Sequence, residues 1–149
     1  MQLNWIFKKF DELSAVELYR IMQLRNEVFV VEQNCVYQDA DDKDQPSMHL
    51  CGWDEEKLVA YTRIIPPGIS YAEASIGRVV TSLAYRHTGA GRQLMKESIS
   101  SCFSEFKCTS IKIGAQVYLT VFYQSLGFIP CSSQYLEDGI PHIEMVLHK

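Results

Sequence analysis

Paired cysteines are missing from this chain. Its five, Cys35, Cys51, Cys102, Cys108 and Cys131, are odd in number, and no two stand in C-x-x-C spacing. Neither a disulfide framework nor a metal site is expected, and free thiols in a reducing cytoplasm are. Excess positive charge is missing too: 14 Lys and Arg against 18 Asp and Glu leave a formal net charge of −4. That argues against nucleic acid as a partner, because phosphate contacts need basic side chains clustered on one face. No apolar run approaches the roughly 20 residues that cross a bilayer, so no membrane partner is expected. The start, Met1-Gln2-Leu3-Asn4-Trp5, has no basic region ahead of an apolar core, so no signal peptide is expected. Repeats, low-complexity segments and interdomain linkers are also absent. What is present is 149 residues, 47% of them apolar and 21% charged, which reads as one domain over 1–149. A chain of that size buries about 70% of its unfolded surface without a covalent staple.

Local patterns order the chain. Residues 2–10 read as a strand. Ser14-Ala15-Val16-Glu17 is a capping box, and the helix after it carries Leu18, Ile21, Met22, Arg25 and Val28/Phe29 on one face. Residues 34–47 are polar and acidic, contain Pro46 and read as a long loop. Residues 48–53 and 58–65 form an antiparallel hairpin, ended by Pro66-Pro67-Gly68. Residues 75–83 are a near-continuous β run, as in a buried central strand. A helix over 89–103, a strand over 109–115 and a helix over 117–126 capped by Gly127 come next. A last hairpin joins 128–136 to 140–148 around Asp138-Gly139. The expected order is β-α-β-β-β-α-β-α-β-β, an α/β (α+β) chain whose mixed sheet is covered by helices on both faces.

One segment announces a ligand. Arg86-His87-Thr88-Gly89-Ala90-Gly91 is an R-x-x-G-x-G turn between the strand through Ile76-Gly77-Arg78-Val79-Val80-Thr81 and the helix through Arg92. A glycine-rich turn that opens a helix aims several backbone N–H groups at one point, which suits a phosphate. Gly89 and Gly91 let the main chain approach without a Cβ in the way. The turn lacks the first glycine of G-x-G-x-x-G and the Gly-Lys-Ser/Thr ending of a P-loop, so dinucleotides and nucleoside triphosphates fit less well.

The same turn, the Phe122-Tyr123-Gln124-Ser125-Leu126-Gly127-Phe128 segment and the mixed strand order together resemble the GNAT superfamily of acyl-CoA-dependent N-acyltransferases. Leu24-Arg25-Asn26-Glu27-Val28-Phe29-Val30-Val31-Glu32-Gln33, Ile76-Gly77-Arg78-Val79-Val80 and Glu137-Asp138-Gly139-Ile140-Pro141-His142 look like its ElaA-like branch. The resemblance covers almost the whole chain. It implies a sheet with splayed central strands, acetyl-CoA as acyl donor, and direct transfer to a primary amine of a small molecule. It assigns the coenzyme pyrophosphate to the backbone of Arg86, His87, Thr88, Gly89, Ala90, Gly91 and Arg92, and the pantetheine arm to Val79, Val80 and Thr81. It places Tyr123 as the general acid for the leaving thiolate, help that is typically worth ~10²–10⁴-fold. The family usually carries Asn seven residues before that tyrosine, where this chain has Gln116, and Ala four before it, where this chain has Leu119. A homodimer is compatible with the resemblance. A non-catalytic acyl-CoA-binding module and an acetyltransferase of protein amines are its rivals.

The base stays open among Glu32 at a helix end, His142 on a strand, and a bound water, with Glu144 and His49 as weaker candidates. Asp39, Asp41, Asp42 and Asp44 crowd one loop, either as an acidic mouth for a cationic amine or as a solvated loop. Arg25 breaks an apolar helix face and is expected to meet a substrate carboxylate or an internal acid such as Glu32. A Cys35–His49 nucleophile is the least favoured alternative.

Overall fold

The computed structural model describes residues 2–149. Four antiparallel strands form the first sheet in the order β1 (Asn4–Lys9), β2 (Met48–Asp54), β3 (Lys57–Ile65), β4 (Ser75–Thr81). In the second, β8 (Ile140–His148) pairs with β5 (Ser110–Gln116) on one side and with β6 (Ile129–Pro130) and β7 (Tyr135–Glu137) on the other. The sheets meet through one parallel bridge, Ala74 to Ile111, and the Lys112 N–H donates to the Ala74 carbonyl at 2.9 Å. From there β4 and β5 run in the same direction without forming a ladder among the described residues. The mixed sheet with splayed central strands is as expected, and the parallel relation that makes it mixed is confined to this seam.

Two cores result. On one face of the first sheet, Ile21, Leu24 and Val28 pack with Tyr61 and Val80. The first two lie on α1 (Ala15–Arg25), whose capping box forms as expected: Ser14 Oγ accepts from the Glu17 N–H, and Glu17 Oε1 from the Ser14 N–H. On the other face, Leu94, Met95 and Cys102 of α2 (Ala90–Phe106) pack with Ala60, Ile64, Ile111 and Phe128. No helix among the described residues is long and apolar enough to cross a membrane, and all five cysteines are free.

Local expectations fail in three places. The helix expected over 117–126 shrinks to a 3₁₀ turn, Val117–Leu119, and α3 (Thr120–Gln124). Val and Thr dilute its helix propensity, and both the Thr120 N–H and its Oγ1 donate to the Val117 carbonyl, a tight i−3 turn rather than an α-helical one. Gly127 still ends it, at φ 101. The strand expected over 128–136 breaks into β6 and β7. Pro130 has no N–H, and Ser132 Oγ takes the Glu144 N–H at 2.9 Å, so the chain bulges away from β8 between them.

The third correction concerns charge. Residues 34–47 do form a loop, but it is neither solvated nor an acidic mouth. Arg25, with no exposed surface, bonds Asp39 through Nε at 2.8 Å and Asp44 through Nη1 at 2.7 Å. Arg63 grips Asp41 through both Nη atoms, at 2.7 and 2.9 Å, and also reaches Asp44 at 3.0 Å. Arg78 lies against Asp39 and Asp41. Asp42 alone of the four is exposed. The internal acids that Arg25 meets are thus Asp39 and Asp44; Glu32 pairs elsewhere. A buried guanidinium left unpaired costs several kcal/mol, so this lattice pins the loop to the sheet.

Candidate active site

Because β4 and β5 separate, a cleft of about 570 Å³ opens between them. Gly77, Arg78 and Val79 form one wall and Gly114, Ala115 and Gln116 the other. β4 carries a bulge at this point. Val80 pairs with Tyr61 and Gly77 with Arg63, so β4 has one residue more than β3 between those pairs, with Arg78 at φ 51. A bulge interrupts the ladder and leaves main-chain groups of the strand unpaired.

Among the residues singled out in the sequence, Cys35, Asp41, Val79, Gln116, Leu119, Tyr123 and His142 line this cleft. Tyr123, on α3, is 6% exposed and held edge-on between Phe122 and Phe128, with ring centroids 5.2 and 5.9 Å away. Burial pushes its phenol up to about 12, so it is fully protonated at neutral pH. His142 faces Gln116 across the β5–β8 ladder and stacks on Tyr135. Its Nδ1 lies 2.7 Å from the Ile140 carbonyl, which can only accept, so Nδ1 carries the proton. Nε2 is left with a lone pair, 3.5 Å from Glu137 Oε2.

The glycine turn lies outside the cleft's lining, next to α3: Arg92 donates to Ser125 Oγ at 2.8 Å and its guanidinium covers the Phe122 ring. Gly89 is the N-cap of α2 at φ 86, a conformation that L side chains rarely adopt. A Cβ added at Gly89 or Gly91 would meet nothing within 4 Å, so the space over the turn is open. The α2 ladder opens with the Gln93 N–H donating to the Gly89 carbonyl, leaving the preceding amides without a ladder partner. These features fit a diphosphate. Val80 and Thr81 continue β4 toward the turn, with Val80 facing the first core, so only its main chain can meet a ligand.

Glu32 does not line the cleft. It pairs through both oxygens with Arg86 of the glycine turn, Nη2 to Oε2 at 2.6 Å. The Arg86 guanidinium holds its carboxyl below the usual range, which makes it a poor proton acceptor. Glu144 is paired with Lys112. His49 is buried between Tyr61 Oη and the Asp44 carbonyl, and burial lowers its pKa; it is remote from Cys35, which does line the cleft.

Sequence reading gave no site role to Lys43, Arg63, Tyr37 and Tyr71 at the opposite end of the cleft, and it took Asp41 beside them for part of an acidic mouth or a solvated loop. One signal was available. Arg63 stands in the otherwise uncharged run Leu58-Val59-Ala60-Tyr61-Thr62, Ile64-Ile65, and a charge in a buried strand demands a partner.

A bulged strand splayed from its parallel neighbour, beside a glycine-rich helix start, defines the acyl-CoA N-acyltransferase fold. The Acetyltransferase (GNAT) domain family matches residues 12–149, and the chain belongs to that family. Protein ElaA of Escherichia coli is 44% identical over 145 residues, 96% of this chain and 95% of that protein. A UPF0039 protein of Schizosaccharomyces pombe is 42% identical over 147 residues, 97% of each chain. Among solved structures, Escherichia coli ElaA superposes with a TM-score of 0.93 at 42% identity, covering 99% of this chain and 100% of that one. An acyl-CoA N-acyltransferase from Pseudomonas aeruginosa does so with a TM-score of 0.93 at 40% identity, covering 98% and 99%.

Proposed function

We propose that this protein transfers an acetyl group from acetyl-CoA to a primary amine of a small molecule in a ternary complex. The observation that carries the reading is the cleft between β4 and β5, with the buried Tyr123 hydroxyl at its side and the glycine turn beside the same helix. The amides of residues 86–92 hold the diphosphate, and the edge of β4 over Val79–Thr81 pairs with the pantetheine arm. A backbone N–H near the β4 bulge bonds the thioester oxygen; one such donor is worth roughly 3 kcal/mol at the transition state. His142 Nε2 takes a proton from the acceptor ammonium. The freed amine forms the C–N bond, the C–S bond breaks, Tyr123 gives its proton to the sulfur, and the second proton shed by the nitrogen returns to the Tyr123 phenolate through solvent. Burial raises the phenol and so keeps its proton in place until a thiolate forms beside it.

The cytoplasm is the compartment we assign, supported by the five free thiols. The test is thiol release from acetyl-CoA across a panel of amines, polyamines and peptides. Release above hydrolysis with a small amine is expected. Tyr123→Phe should lower that rate at least about tenfold with little change in coenzyme affinity. Unchanged turnover would remove Tyr123 as the acid, and coenzyme binding without release for any acceptor would leave a binding module.

A further inference from the structure

The far end of the cleft has a charge pattern that the reaction itself does not require. Three arginines, Arg25, Arg63 and Arg78, meet three aspartates, Asp39, Asp41 and Asp44. The charges cancel within that lattice. Burial pushes the Asp41 carboxyl up, yet the Arg63 and Arg78 guanidiniums outweigh it and hold it down at about 2, so Asp41 is committed as an anion. Lys43 is the surplus cation. It lines the cleft, and its Nζ contacts only a neutral hydroxyl, Ser70 Oγ at 3.1 Å, with no carboxylate in ion-pair reach among the described residues. Asp42, beside it in sequence, is exposed and outside the cleft. Arg63, paired with Asp41 and Asp44, still has an Nε–H without an acceptor, a hydrogen-bond donor rather than a surplus charge.

The wall across from these residues has the opposite sign. Glu137, Asp138 and His142 line it, on β7, the turn and β8. Neither Glu137 nor Asp138 is matched by Lys or Arg among the described residues, and Glu137 has only the imidazole of His142 near it. The cleft is therefore polarised, with the unpaired Lys43 ammonium on the β3–β4 side, where the guanidiniums are answered by aspartates, and the Glu137 and Asp138 carboxylates beside the His142 imidazole on the β8 side. A simple cation would find Lys43 unanswered at one end, and a simple anion would find Glu137 and Asp138 at the other.

We infer that the acceptor is a zwitterion: a primary amine that also carries an anionic group, carboxylate or phosphate. The anionic group faces Lys43 and Ser70, and the ammonium faces Glu137 and Asp138, where His142 Nε2 receives its proton. This deepens the transferase reading and rests on it for the orientation of the amine. It also separates the acceptor from polyamines, which offer no anion, and from lysines within proteins, whose carboxyl is consumed in the peptide bond.

Matched acceptors on one carbon frame test it: lysine against cadaverine, β-alanine against ethylamine, and phosphoethanolamine beside that last pair. With acetyl-CoA as donor, the anionic member is expected to have a kcat/KM about tenfold or more above its partner, the scale of one hydrogen-bonded charge. Whether β-alanine or phosphoethanolamine leads reads which anion the site takes. In Lys43→Gln that ratio should fall toward one, and in Lys43→Glu it should invert; a ratio within one variant is insensitive to partial misfolding. Equal rates within each pair, preference for the decarboxylated member, or a ratio indifferent to both Lys43 variants would overturn the inference. Calorimetric titration of the same pairs without donor keeps the two readings apart. Selective binding with no thiol release defeats the transferase and upholds the zwitterion site, whereas release without preference does the reverse.

Discussion

At the scale of single residues, the candidate base rests on one hydrogen bond. The Ile140 carbonyl forces the His142 proton onto Nδ1 and leaves Nε2 free on the cleft side. His142→Gln is expected to lower kcat by about 10²-fold. A variant with unchanged kcat would give the role to another group. Glu32 has the opposite expectation. Its carboxylate answers Arg86, a side chain of the glycine turn proposed to hold the diphosphate, so Glu32→Gln should leave Arg86 unneutralised. Turnover should persist, and the coenzyme dissociation constant should fall, most clearly at low salt where surface charges are least screened. Collapse of turnover would return Glu32 to the catalytic role that its position in sequence suggested.

At the scale of elements, the start of α2 couples stability to the donor. Gly89 sits at φ 86 because the chain must reverse there and still begin a helix with open amides. Gly89→Ala should cost about 1–2 kcal/mol of stability, the penalty of a left-handed conformation for a residue with a Cβ. It should also weaken coenzyme A binding, read by calorimetry, because the amides move. Gly91 has space over it and needs no unusual φ, so its absent Cβ serves approach alone. The β4 bulge and the short α3 belong to the same scale. The first re-aims main-chain groups, and the second brings Tyr123 to the cleft in little more than one turn.

At the scale of the whole molecule, the loop lattice ties stability to pH. Burial holds His49 below the ordinary imidazole value, so the unfolded chain takes up that proton first and stability declines as pH falls through that range. Asp41 comes next. Its folded value of about 2 lies below the ordinary carboxylate value, so its contribution is complete above that higher value and drains away as pH falls toward the lower one. Urea midpoints measured from pH 7 to pH 3 should fall in two stages, and His49→Gln should remove the first. A flat profile down to pH 4 would contradict the buried neutral imidazole.

What could be read from the sequence was local. The capping box, the Gly89 turn, the Asp138-Gly139 hairpin and the 3.6-residue face of α1 each depend on a few adjacent dihedrals, which neighbouring side chains constrain by sterics and short hydrogen bonds. Tyr123 was legible for a related reason, since a short motif placed it just ahead of Gly127. The loop of aspartates was misread because its meaning lies in Arg25, Arg63 and Arg78, which come from a helix and two strands, and charge pairing is decided by which elements pack together. Glu32 and Arg86 meet across more than fifty positions of chain for the same reason. By itself the sequence determined most of the order of the elements, the family and the glycine turn. Only the tertiary structure decided which charges cancel and which are left facing the cleft, because burial and distance, not adjacency along the chain, set the energy of an ion.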